Sequence, residues 1–344
     1  MSARKKPGAA AAGRTLKVRP LEAKDLDAVV ANDAALVGRT RRAYFERRLD
    51  AALRAPKLHA QFAVDQGSAL AGHILGRVLE GEFGRIEPAM RLEVLGVKPA
   101  AQGQGIGIAL EQALEQEARR RGLGEVRTSA SWRDSAMLRF LDAAGYALGR
   151  NHVIDCALGA AALGSNREEP VLVQARDRPA DHNDYGAAAA NDYETLARDL
   201  AEVRSLARTD LDDVVRIDRR LTGHDRSAYI AHKLEEALKD SAIRISLIAR
   251  KDGAAAGYLM ASADYGDFGR AEPVAIIDTI GVDPSFARSG VGRALLSQLF
   301  VNLGALGIER VETVVAKEHF ELLAFFYRAG FDPSQWLAFV KPLG

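Results

Sequence analysis

The stretch Val97-Lys98-Pro99-Ala100-Ala101-Gln102-Gly103-Gln104-Gly105-Ile106-Gly107 joins an apolar run, Met90 to Val97, to a segment with helical periodicity. The run before it reads as a buried strand, and the segment after it as a helix of about 105–121. The first N–H groups of a helix lack internal acceptors and sit at its positive end. Glycines let an anion approach the backbone closely. The loop is therefore suited to a diphosphate, although taken alone it reads equally well as a structural turn. Two other nucleotide loops do not fit. A dinucleotide fingerprint needs a third glycine where Ile108 stands, and a Walker A loop needs Gly-Lys followed by Ser or Thr.

The same pattern returns later, and the rest of the chain returns with it. Val18-Arg19-x-Leu21 recurs as Val203-Arg204-x-Leu206, and Asp25-Leu26-Asp27 as Asp210-Leu211-Asp212. Gly38, Arg41 and Tyr44 recur as Gly223, Arg226 and Tyr229. Phe83-Gly84-Arg85-x-Glu87-Pro88 recurs as Phe268-Gly269-Arg270-x-Glu272-Pro273, and Gly105-x-Gly107 as Gly290-x-Gly292. The spacing is constant and needs no gap. The chain is a duplication, with domains expected at 15–158 and 200–344, a solvated linker at 159–199, and a disordered basic tail at 1–14.

Each copy reads as mixed α/β (an α+β mixed sheet). A short strand (16–20) precedes a helix from Lys24 to Val37, which Thr209 or Asp210 can cap in the second copy. A second helix spans about 41–53 and about 226–239. Hairpins follow, with turns at Gln66-Gly67 and Lys251-Asp252-Gly253. The central strand (Met90–Val97, Val274–Val282), the glycine loop and its helix come next. A strand (125–130, 310–316), a helix (135–144, 320–329) and a last strand (150–155, 335–341) are expected to close each unit.

With Val97-x-Pro99 followed by Gln102-x-x-Gly105-x-Gly107, the sequence resembles the GNAT family, the GCN5-related N-acetyltransferases. The second copy has Val282-x-Pro284 and Gly290-x-Gly292, but Ala287 holds the Gln/Arg position and Arg288 is displaced by one. Gly145-Tyr146 and Gly330-Phe331 stand where the family has its Gly-Phe pair. The resemblance covers both copies. It implies two tandem GNAT-like acyl-CoA N-acyltransferase domains, acetyl-CoA as co-substrate and a primary amine as acceptor. It places acetyl-CoA against Leu95, Val97, Gln102, Gly103, Gln104, Gly105, Ile106 and Gly107. In the second copy it does so against Ile280, Val282, Arg288, Ser289, Gly290, Val291, Gly292 and His319.

Acyl transfer needs a neutral amine, and a lysine-like amine with a pKa near ~10.4 is almost wholly protonated at neutral pH. A carboxylate acting directly or through water can take that proton. Glu93 and Asp278 stand at equivalent positions in otherwise apolar strands, and the family often places its general base there. A raised pKa is expected for both; the alternative is a solvent-facing strand residue. The tyrosine that often serves as general acid in the family falls on Leu141 and Phe326 here. Tyr327, one residue on, is the substitute candidate, and Asp134 and His319 take the family's frequent asparagine position. Arg41/Tyr44, Arg226/Tyr229, Asp264, Tyr265 and the repeated Phe-Gly-Arg-x-Glu-Pro segment are acceptor-side candidates.

The formal net charge of +1 gives no electrostatic reason to expect nucleic acid or an anionic membrane as partner. No apolar run is long enough to span a bilayer. The single cysteine, Cys156, fits a reducing, cytoplasmic setting. No metal ligand set is expected. The partners are expected to be a small-molecule amine or a peptide, with the chain as a monomeric pseudo-dimer or a homodimer. The opposing reading is a non-catalytic acyl-CoA binder or scaffold in which one or both copies are degenerate.

Overall fold

The computed structural model describes residues 16–79, 87–158, 201–239, 245–264 and 274–344. The expected linker and tail lie outside the described residues, as do Tyr265 and most of the Phe-Gly-Arg-x-Glu-Pro segments. The first copy runs β1 (Val18–Pro20), α1 (Leu26–Val37), α2 (Arg42–Arg54), β2 (His59–Gln66), β3 (Ala69–Leu79) and β4 (Ala89–Val97). It continues with α3 (Ile106–Arg120), β5 (Glu125–Ser131), α4 (Ser135–Ala143), β6 (Ala147–Leu148) and β7 (Asn151–Ala157). The second copy repeats this as β8 (Glu202–Ser205), α5 (Leu211–Thr222), α6 (Ser227–Lys239), β9 (Leu247–Lys251), β10 (Ala254–Asp264) and β11 (Val274–Val282). It ends with α7 (Val291–Ala305), β12 (Arg310–Ala316), α8 (Phe320–Arg328), β13 (Asp332–Pro333) and β14 (Trp336–Pro342).

Local chemistry explains the joints. Asp252 and Gly253 both adopt positive φ, 52° and 78°, the geometry of a two-residue hairpin turn. Asp210 turns its carboxylate back onto the backbone N–H of Ala207 and onto Arg204, bracing the start of α5. Helix α3 lies tightly on β3 because Gly72 and Gly76 offer no side chain. A Cβ at Gly76 would come within 2.5 Å of Leu114. Leu110 and Leu114 are fully buried there, each stabilising by about 2 kcal/mol. On the opposite face, α1 and α2 bury Val29, Val30, Phe45 and Leu49 against Ala63, Leu75 and Val94.

Two seven-stranded mixed sheets result, in the orders β1-β2-β3-β4-β5-β14-β6 and β13-β7-β12-β11-β10-β9-β8. The last strand of each copy does not close its own unit, as the sequence reading had it. Strand β14 pairs antiparallel with β5 from Trp336↔Ser131 to Pro342↔Glu125, and β7 pairs with β12 from Asn151↔Ala316 to Ala157↔Arg310. The copies have exchanged their closing strands. Phe339 packs into the first core, while Ile154 and Cys156 pack into the second. Ion pairs fasten the exchange: Lys341 with Glu111 and Glu115, Arg310 with Asp155, and Arg77 with Glu236.

Candidate functional site

The parallel ladder between β4 and β5 holds only at Met90↔Val126 and Arg91↔Arg127. Just beyond, the Thr128 hydroxyl donates to the Leu92 carbonyl at 3.1 Å, and the strands then part. The cleft they leave has a volume of about 1120 Å³ and is lined by Leu95, Val97, Gln102, Gly103, Gly105, Ile106 and Gly107, among others. At its mouth, among the described residues, the backbone N–H groups of Gly103, Gln104, Gly105, Ile106, Gly107 and Ile108 have no protein acceptor; the first helical bond is Ala109 to Gly105. Gly103 and Gly105 take φ of 74° and 80° with open space around them. This row of donors at the positive end of α3 is an anion cradle. Gln102 and Gln104 brace it from within: their amides donate to the carbonyls of Val97 and Ala100, both at 3.2 Å. Gln66 donates in turn to Gln104 at 2.9 Å.

The second loop has the same plan with different parts. The Thr313 hydroxyl donates to Ile277 at 3.0 Å. Here β11 and β12 stay paired one residue longer, to Ile277↔Thr313. Arg288 takes the place of Gly103 with a left-handed φ of 60°, a conformation that costs a non-glycine residue roughly 1 kcal/mol. The N–H groups of Arg288, Gly290, Val291 and Gly292 have no acceptor among the described residues, but that of Ser289 is taken by Phe286 at 3.3 Å. Lys251 donates to the Ser289 carbonyl at 3.3 Å. Arg216 and Arg220 of α5 clamp Asp283 beneath the loop. Ile280 and Val282 pack against the second core.

Glu93 and Asp278 are each the extra residue of a β-bulge. Leu75 pairs with Val94 and Gly76 with Leu92, skipping Glu93; Met260 pairs with Thr279 and Ala261 with Ile277, skipping Asp278. The bulge re-aims these carboxylates toward the helix pair of their own copy. Glu93 meets Arg48 of α2 in a buried ion pair, and Asp278 lies 3.4 Å from Lys233 of α6, the repeat equivalent of Arg48. Glu93 also lines the large cleft. The expected raised pKa is not what Glu93 shows. Burial by itself pushes it up, but Arg48, Arg77 and Arg91 outweigh burial and hold it below the ordinary glutamate range. Sequence spacing hides most of this because Arg48 and Arg77 come from other elements, Arg91 alone being on the same strand. Asp278 instead borders a separate cavity of about 470 Å³ between the copies.

Of the candidates on and around α4 and α8, Asp134 lines the large cleft. Leu141 and Phe326 are buried in the cores. The side chains that face the loops are Phe140 and Phe325, against which a Cβ at Gly107 or Gly292 would stop at 3.1–3.2 Å. Sequence reasoning missed this pair. Tyr327 follows Phe325 by two residues, about 200° around the helix, and is 55% exposed. His319 is exposed at the start of α8, and Asp134 caps α4 by accepting from the Met137 N–H at 2.9 Å.

A family model described as the Acetyltransferase (GNAT) family matches residues 30–146 and 211–331, once over each copy. The chain belongs to the GNAT family. Among curated proteins, none matches it in sequence. Solved structures agree on the fold. The chain superposes on a tandem GNAT protein from the clavulanic acid biosynthesis pathway with a TM-score of 0.61 at 19% identity, covering 96% of this chain and 99% of that one. A GNAT protein of Sphaerobacter thermophilus gives 0.56 at 17% identity, covering 95% and 96%. The glucosamine N-acetyltransferase region of a fungal multi-domain GH3 beta-N-acetylglucosaminidase gives 0.60 at 16% identity. There the match covers 96% of this chain but only 38% of the fungal one.

Of the other residues singled out in this GNAT chain, Arg41 donates to Asp33 at 2.7 Å, and both line the large cleft. The second copy repeats the buried pair as Arg226 and Asp218, joined by the Tyr258 hydroxyl at 2.7 Å from Asp218. Tyr44 and Tyr229 lie under the guanidinium groups of Arg41 and Arg226 and are core residues. No helix among the described residues is long and apolar enough to cross a membrane.

Proposed function

We infer that the protein is an acetyl-CoA-dependent N-acetyltransferase acting on a primary amine of a small molecule. The observation that carries this is the row of N–H groups from Gly103 to Ile108 without acceptors, at the mouth of a cleft between parted strands. A diphosphate suits those donors. The opened edge of β4 suits an extended amide-bearing arm, added as a strand would be. Acetyl-CoA has both parts and carries its thioester at the far end of the arm. The residues in contact with it are those named for the two loops, with Arg288 supplying a cation where the second loop lacks a glycine.

Glu93 and Asp278 are the proposed bases. Asp278 borders the cavity between the copies, and Glu93 the large cleft. Glu93, held ionised by three arginines, acts through a water or fixes the acceptor by charge. A thiol of pKa about 8.5 leaves without an obligatory acid, so phenylalanine at 140 and 325 does not stop turnover. The same phenylalanines favour the second reading, a binder without catalysis, since neither offers a proton. The chain acts in the cytoplasm, and its two copies form a pseudo-dimer within one chain.

Thiol release from acetyl-CoA across a panel of small primary amines tests this reading. Glu93→Gln and Asp278→Asn should lower kcat without weakening acetyl-CoA binding. If neither changes turnover, the base assignment is wrong. If acetyl-CoA binds and no amine releases thiol, the non-catalytic reading holds.

A further inference from the structure

The last residue of β9 meets the second glycine loop where the last residue of β2 meets the first, but the chemistry of the contact has changed. In the first copy the Gln66 amide donates to Gln104 at 2.9 Å. The repeat equivalents are Lys251 and Ser289, and the Lys251 ammonium donates to the Ser289 carbonyl at 3.3 Å. One residue earlier in the loop, Gly103 gives way to Arg288, which is exposed and keeps the left-handed backbone, with φ of 60°. Glycine adopts that conformation freely and arginine does not, so the side chain stands there against the preference of its own backbone. Among the described residues, neither Lys251 nor Arg288 has a carboxylate partner. The carboxylate at the start of this loop, Asp283, is 1% exposed and already holds Arg216 and Arg220. The Ser289 N–H is taken by Phe286, whereas that of Gln104 points to no protein acceptor. The second loop therefore replaces a neutral backbone donor with two side-chain cations.

We propose that Lys251 and Arg288 form a subsite for the 3′-phosphate of coenzyme A, so that the second copy selects 3′-phosphorylated donors. The subsite rests on the acyl-CoA reading and adds a specificity to it. Backbone N–H groups suffice for the diphosphate in both copies. Coenzyme A carries, besides the diphosphate, a phosphomonoester on its ribose, and such a group is mostly doubly ionised at neutral pH. An ammonium meets it as a point charge, and a guanidinium can add two parallel hydrogen bonds. Both cations flank the row of N–H groups. Lys251 reaches in from the neighbouring hairpin, and Arg288 stands two residues before the helix N-cap, Gly290. A second anionic group beside the diphosphate is what this arrangement fits.

The test titrates the full chain carrying Gly105→Glu, which leaves the second loop open, with coenzyme A and with 3′-dephospho-coenzyme A. Coenzyme A should bind about tenfold more tightly, the scale of a charge-assisted hydrogen bond. Lys251→Gln and Arg288→Gly each install the residue that the first copy has at the matching position. Added singly to the same chain, each should weaken coenzyme A roughly fivefold or more and change the dephospho compound less than twofold. Thermal melting of each variant reports its folding. Equal affinity for the two compounds overturns the subsite and leaves the acyl-CoA reading standing. A parallel loss of both compounds in the variants also overturns it, since the cations would then serve the diphosphate. If the Gly105→Glu chain binds neither compound while the Gly290→Glu chain binds coenzyme A, the subsite falls and the acyl-CoA reading stands for the first copy alone. A wild-type chain that binds neither compound overturns both.

Discussion

Lys341 holds its ammonium 3.0 Å from both carboxylate oxygens of Glu111, 230 residues earlier in the chain. Glu111 lies on α3 of the first copy with a side chain that is 1% exposed, and Lys341 comes in on the strand lent by the second. Burial raises the pKa of Glu111, and Lys341 offsets part of that rise. Lys341→Met leaves the carboxylate buried without its cation, at a cost of about 3 kcal/mol. Urea unfolding should show a lower midpoint and one transition for both copies. An unchanged midpoint, or two separate transitions, contradicts the interlock.

Acid should destabilise the fold through His73. The ring is fully buried and accepts from the Asn32 amide at 3.2 Å through Nδ1. Burial first, and the charge of Arg41 second, lower its pKa to about 4. The unfolded chain takes up that proton near pH 6.5. The stabilising contribution is therefore complete above about pH 6.5 and is lost as pH falls towards 4. His59, also lowered to about 4 by burial and by Arg48, acts in the same direction. His73→Gln should reduce the stability difference between pH 7 and pH 4.5 by about 2 kcal/mol. Denaturant titrations at the two pH values measure this, and an undiminished difference would rule out His73 as its source.

Trp336 belongs to the last strand of the chain, yet it lines the cleft of the first copy. Its partner in the ladder is Ser131, at the end of β5. Trp336→Ala should enlarge that cleft and favour longer acyl chains, with the affinity ratio of hexanoyl-CoA to acetyl-CoA rising roughly threefold or more. Competition binding gives the ratio. If it does not move, Trp336 is no wall of the acyl site.

The sequence carried the duplication, the element order and the glycine loops, because each is a local pattern of periodicity or turn chemistry. The strand exchange was not legible for a specific reason. β7 and β14 are equivalent under the repeat, so either sheet would accept either strand on its apolar pattern, and nothing local says which edge each one joins. The bulges at Glu93 and Asp278 were likewise hidden. An extra residue in a strand shows only in pairing, and both acids sit within otherwise apolar runs. Their cations, Arg48 and Lys233, come from helices that pack over the strands, so the largest lowering of the Glu93 pKa, by Arg48, came from tertiary structure. Phe140 and Phe325 escaped because a one-residue shift turns a helix by about 100°, enough to send Leu141 and Phe326 into the cores instead.

The most direct test of the central claim is a calorimetric titration of the full chain with acetyl-CoA, repeated with Gly105→Glu and Gly290→Glu. Both glycines open their helices with positive φ, 80° and 85°, and the Cβ position at Gly105 is open, so the added carboxylate meets the diphosphate rather than the core. The wild-type chain should bind two equivalents and each variant one. A wild-type chain that binds none, or variants that keep the full stoichiometry, would contradict the assignment of these loops as the acyl-CoA sites.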